Sequence, residues 1–163
     1  MRTAIVTGSS SGVGLAVAVE LASRGWHVIG LDLGDGAALR GAAKFAGVGE
    51  TVGHLETDIT DRTQVSLSMA RITASFGDRL GALVNCAEVS VSGPFDEMSD
   101  RGLRQQFDLN LKGAMNVTRA ALPALRSTAG SRIVNLSSTA GLAGVPGMAG
   151  FSGSKWGLEG WTE

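Results

Sequence analysis

The chain has 163 residues, 44% hydrophobic and 18% charged, with 24 glycines and 3 prolines. That length suits one domain with a real core and argues against two. A net charge of −1 leaves no electrostatic footprint for nucleic acid or acidic membranes, and the single cysteine, Cys86, excludes an internal disulfide and suits a reducing cytosol. Met1 to Thr7 carries one basic residue and too short an apolar run for a signal peptide. The stretch from Ser131 is interrupted by Arg132 and studded with Gly and Ser, which is no membrane span. A cytoplasmic protein without membrane contact is expected.

Short apolar runs alternate with helical patterns along the chain. Thr3–Thr7 is a β-branched run ended by glycine. Ala16–Arg24 reads as helix, with Leu15, Val19 and Ala22 on one face and Gly25 as its stop. His27–Asp32 is the second strand and Gly36–Ala46 a weak Ala/Gly helix. Thr51–Thr57 is the third strand, and Asp61 can cap a helix from Arg62 to Phe76. Leu80–Cys86 is the fourth strand. Asp100 can cap one long helix to Arg126, in which Leu103, Phe107, Leu111, Ala114, Thr118, Ala121 and Leu125 form an apolar stripe that includes Asn110. Ser131–Ser137 is the fifth strand, and Gly150–Glu163 starts a further helix. Continuous apolar strands alternating with helices predict one domain over residues 1–163: an open, doubly wound, Rossmann-like α/β fold with a parallel sheet covered on both faces.

Thr7-Gly8-Ser9-Ser10-Ser11-Gly12-Val13-Gly14 lies between the first strand and the first helix. Glycine there permits a tight bend, backbone approach to a pyrophosphate and close helix–strand packing. The helix N-terminus offers N–H groups and a positive dipole end to an anion. No Gly-Lys-Ser/Thr follows, so this is not a nucleoside-triphosphate loop. Asp32 ends the second strand 20 residues after Gly12, where a carboxylate can hydrogen-bond a ribose 2′-hydroxyl and would repel a 2′-phosphate. NAD is therefore favoured over NADP.

These residues make the chain similar to a classical short-chain dehydrogenase/reductase, and the resemblance covers all 163 residues. Gly8, Gly12 and Gly14, with Ser10, Ser11 and Val13 between them, resemble the family's cofactor loop, and Asp32 its NAD-selecting acid. Asp58-Ile59 resembles the adenine-contacting pair. Asn85-Cys86-Ala87-Glu88 aligns with the family's Asn-Asn-Ala-Gly turn. Asn110 resembles the active-site Asn, Ser138 the catalytic Ser, and Lys155 the catalytic Lys that also holds the nicotinamide ribose. The implied activity is NAD-linked oxidation of a secondary alcohol or reduction of its ketone, by a homodimer or homotetramer paired through the Asp100–Arg126 and Lys155 helices.

The departures from that pattern are as informative. The family's proton-transferring Tyr position is Phe151, thirteen residues after Ser138, and the chain has no Tyr at all. A general acid/base typically contributes about 10²–10⁴-fold in rate, so impaired turnover is expected. Glu88 places bulk and negative charge where the family has Gly. The family's chains continue past the signature with two more strands, helices and a substrate loop, whereas this sequence stops at Glu163, leaving the fifth strand as an expected sheet edge and the substrate pocket unread. The alternative to an impaired oxidoreductase is a non-redox family member that binds ligand or a partner subunit. His27 and His54 lack metal-ligand spacing and read as structural. Gly150-Phe151-Ser152-Gly153-Ser154 fails the serine-nucleophile elbow, because no strand precedes it.

Overall fold

The structure, a computed structural model, describes the backbone of residues 1–163 and every side chain except that of residue 78. Its elements follow the predicted alternation: β1 (Thr3–Thr7), α1 (Gly12–Ser23), β2 (His27–Asp32), α2 (Ala37–Phe45), β3 (Val52–Glu56), α3 (Arg62–Phe76), β4 (Leu80–Asn85), α4 (Asp100–Phe107), α5 (Ala114–Ser127), β5 (Arg132–Asn135) and α6 (Ala149–Thr162). The strands are all parallel and form one sheet in the order β3-β2-β1-β4-β5.

Side chains alternate across a strand, so each apolar run feeds two cores. Ile5, Ile29, Leu31 and Leu83 pack on one face against Val65, Met69 and Ile72 of α3 and Val117, Ala121 and Leu125 of α5. Val6, Val28 and Val84 pack on the other against Ala18 and Ala22 of α1 and Leu39 of α2. Burial on both faces is why β1 is wholly buried and its sequence does not alternate. β5 lies at the sheet edge, as expected, and Ile133 and Val134 are exposed there.

Several boundaries move. α1 starts at Gly12 rather than Ala16, because the loop glycines themselves form its first turn, and its buried face is Gly14, Ala18 and Ala22. Ser99, not Asp100, caps α4, accepting from the Gly102 N–H. The expected single helix from Asp100 to Arg126 is instead two α-helices joined by a π-helical turn over Asp108–Gly113. The buried stripe also differs: Gly102, Gln106 and Asn110 face inward, while Phe107 is exposed. Leu103, Phe107 and Leu111 lie against α6, where Gly150, Gly153 and Gly157 let them approach the helix backbone; a Cβ on Gly153 would stand 3.0 Å from the Phe107 ring and one on Gly157 2.9 Å from Leu111.

Candidate active site

The strand order reverses between β1 and β4, and the crevice outside their carboxyl ends is where such sheets bind ligands. A cleft of about 460 Å³ opens there, lined by Gly8, Ser11, Gly12, Val13, Gly14, Asp32, Ile59, Ala87 and Glu88 among others. Gly8 adopts φ +68°, and a Cβ on it would stand 2.8 Å from the Ala87 backbone. A Cβ on Gly14 would collide with the Gly8 carbonyl oxygen. The loop and the end of β4 are thus in direct backbone contact. Thr7 locks them together, its hydroxyl accepting from the Cys86 N–H at 3.0 Å and the Ala87 N–H at 3.1 Å.

Ser11 occupies the N-cap of α1 without a side-chain capping bond. The first-turn N–H groups therefore meet the cleft rather than a protein oxygen, a fit for an anion. A Cβ on Gly12, at φ +50°, would meet open space. At the floor, Asp32 accepts from the Ser10 N–H at 2.9 Å and the Leu33 N–H at 2.8 Å, which fixes its carboxylate beside the loop. An adenosine diphosphate group fits these partners: Asp32 for a ribose hydroxyl, the α1 N-terminus for the phosphates.

Not every expected cofactor contact reaches the cleft wall. Ser10 contributes its N–H to Asp32 rather than its hydroxyl to the cleft. The Asp58 carboxylate closes its own turn, accepting from the Thr60 N–H and hydroxyl, while Ile59 beside it lines the wall. Asn85 turns inward and donates to Thr118 at 3.1 Å and Asn135 at 2.8 Å.

The remaining site residues gather beyond β4 and β5. Asn110, buried in the π-helical turn, accepts from the Val89 N–H at 2.8 Å and donates to the Val89 carbonyl at 2.9 Å and to Ser154 at 3.0 Å. It therefore holds the Glu88–Val89 segment against α6. Gln106 does the same one turn earlier: it is fully buried and accepts from the Val91 N–H at 3.0 Å. Ser138 follows β5 and caps a short 3-10 turn, its hydroxyl accepting from the Ala140 N–H. Phe151 is buried, and Lys155 one turn later sets its Nζ 5.5 Å from the ring centroid. Lys155 donates to the Leu136 carbonyl at 2.7 Å and pairs with Glu88 at 2.6 Å.

Sequence reasoning missed two features. Glu88, which the sequence marks as bulk and negative charge beside a ligand, is the counter-ion of Lys155, and no local spacing in the sequence signals that pairing. Gln106 carries no motif of its own, although a polar residue four before Asn110 shares its helix face. Cys86 is buried, and burial, then the Glu88 carboxylate, push its thiol up to about 11, against a smaller opposing effect of Lys155. His27 stacks on Phe76 and His54 Nε2 lies 2.7 Å from the Gly34 carbonyl oxygen, both structural roles. Among the described residues no His/Cys/Asp/Glu group could hold a metal, and no helix is long and apolar enough to cross a membrane.

Comparison with known proteins agrees with this geometry. A family model described as short chain dehydrogenase matches residues 2–163. An uncharacterized oxidoreductase of Bacillus subtilis, YusZ, is 35% identical over 99% of the chain and 58% of its own length. The D-beta-hydroxybutyrate dehydrogenase of Cupriavidus necator is 31% identical over 99% of the chain and 62% of its own length. Among solved structures, a short-chain dehydrogenase from Streptomyces avermitilis superposes with a TM-score of 0.90 at 32% identity, covering 99% of this chain and 58% of that one. The chain thus spans about three fifths of the length of these relatives.

Proposed function

The chain belongs to the short-chain dehydrogenase family, and on that premise we propose that its cleft binds NAD and that its site is an alcohol/ketone oxidoreductase site of impaired turnover. The observation that carries the cofactor half is the pairing of an uncapped α1 N-terminus with the Asp32 carboxylate in one cleft. Asp32 favours NAD over NADP, since a 2′-phosphate would meet its negative charge. When bound, the nicotinamide supplies the hydride acceptor or donor.

The chain's own residues supply the rest. Ser138 presents a hydroxyl that can bind a substrate oxygen, with the Ala140 N–H orienting it. Lys155 supplies a buried positive charge. Asn110 fixes the wall between cleft and α6. Phe151 places a hydrocarbon ring beside Lys155, so no side chain there accepts or returns the carbinol proton. The substrate is a small secondary alcohol or its ketone, and the working form a homodimer or homotetramer in the cytoplasm. The oligomer reading draws support from exposed Phe107 on α4 and Trp156 on α6.

The test is F151Y, followed by NADH absorbance over a panel of secondary alcohols. The proposal expects turnover to rise by about 10²-fold or more over the unaltered chain. Unchanged turnover alongside NAD binding would instead favour the non-redox reading, in which the chain serves as a ligand-binding or partner subunit.

A further inference from the structure

Lys155 is 2% exposed. A buried ammonium is costly without a counter-charge, and among the described residues the ion pair it makes is with Glu88. The two partners differ: the Glu88 side chain is 41% exposed and lines the cleft. The lysine is fixed inside the protein, and the carboxylate can leave for water.

The strand order shows which part of the cleft Glu88 occupies. Asp32 ends β2, the loop and α1 follow β1, and Glu88 and Leu136 follow β4 and β5 on the far side. A dinucleotide with one ribose at Asp32 and its phosphates at α1 must lay its second nucleoside over the ends of β4 and β5. The Glu88 carboxylate stands there, held by Lys155, on a segment that Asn110 pins through Val89.

We propose that Glu88 is an internal competitor for the second nucleoside: the cleft takes an adenosine diphosphate group in full, and the other half of a dinucleotide only after Glu88 releases Lys155. This rests on reading the cleft as a dinucleotide site and adds a specificity-determining residue to it. The side chain acts twice, filling space and neutralising Lys155, the one buried cation among the described residues, which a ribose hydroxyl could otherwise use.

Calorimetric titration with ADP and with NAD of the unaltered chain, E88Q and E88G tests this, with circular dichroism confirming the fold of each. In the unaltered chain, ADP and NAD are expected to bind within about threefold of each other. E88G is expected to bind NAD about tenfold tighter while ADP changes by less than about twofold. E88Q keeps the bulk and removes the charge, so it is expected to gain part of that increase; it decides the matter alone if E88G fails to fold. An unchanged NAD-to-ADP ratio in the folded variants overturns the inference while leaving the dinucleotide reading standing. ADP binding to none of the three proteins overturns the dinucleotide reading and the inference with it.

Discussion

Lys155 Nζ lies 2.6 Å from Glu88 Oε2, yet the two side chains differ twentyfold in exposure, 2% against 41%. That asymmetry sets the cost of removing either one. E88A strands an ammonium in the interior with the Leu136 carbonyl as its remaining polar contact, a loss of about 1–3 kcal/mol after allowance for water entering the cleft. K155M fills the same volume with an apolar chain and lets Glu88 turn to solvent, at a cost of about 1 kcal/mol or less. Urea denaturation midpoints at constant slope measure both. Equal losses would mean that the pair is not a buried cation with an exposed partner.

F151Y also has a readout that needs no substrate. The chain contains no Tyr, so the phenol introduced there is the only one to titrate in the ultraviolet. Lys155 lies one helical turn away with its ammonium over the ring, which stabilises a phenolate and lowers the titration midpoint below the usual value of about 10. Because Glu88 neutralises that ammonium, the midpoint should fall further when E88Q is added. A midpoint that ignores E88Q would show that Glu88 does not control the charge at this position.

Cys86 should be slow to alkylate. Its thiol is pushed up to about 11, chiefly by burial and next by Glu88. Relative to an ordinary cysteine, this lowers the thiolate fraction at neutral pH by about a hundredfold. Iodoacetamide labelling of the folded chain should therefore lag far behind labelling in urea. Similar rates in the two states would contradict the buried placement of β4's end.

His27 gives the fold a pH dependence of definite sign. Burial, and next the Arg79 guanidinium, lower its pKa, so the folded chain favours the neutral ring. The unfolded ring titrates near 6.5. The stabilisation is complete above that value and is lost as pH falls through the folded value. His27→Phe keeps a ring against Phe76 and cannot titrate. Its melting temperature should fall less than the unaltered chain's between about pH 7 and pH 5. Parallel curves would remove His27 from the acid response.

The strands and most helices were legible because they follow local rules. β2 and α3 begin and end where the apolar run and the Asp61 cap placed them. The glycine loop and Asp32 were legible because backbone approach and strand end leave few residue choices. The π-helical turn was not, since the stripe from Leu103 to Leu125 satisfies an unbroken α-helix equally well and only packing on α6 and Ile59 decides otherwise. A Cβ on Gly113 would stand 2.8 Å from Ile59, a contact between distant parts of the chain that no local window contains. The Glu88–Lys155 pair was hidden for the same reason. Glu88 reads locally as a departure from the family pattern and Lys155 as a match to it, and their attraction arises from β4, β5 and α6 converging in space.

Asp32 and the α1 N-terminus are proposed to hold an adenine dinucleotide without a 2′-phosphate. Calorimetric titration of the unaltered chain and of D32N with NAD and NADP tests it most directly. The account predicts that NAD binds the unaltered chain at least about tenfold tighter than NADP, and that D32N narrows the gap by removing the charge while keeping an oxygen for Ser10. Equal binding of the two dinucleotides, or a preference that D32N leaves intact, would contradict it.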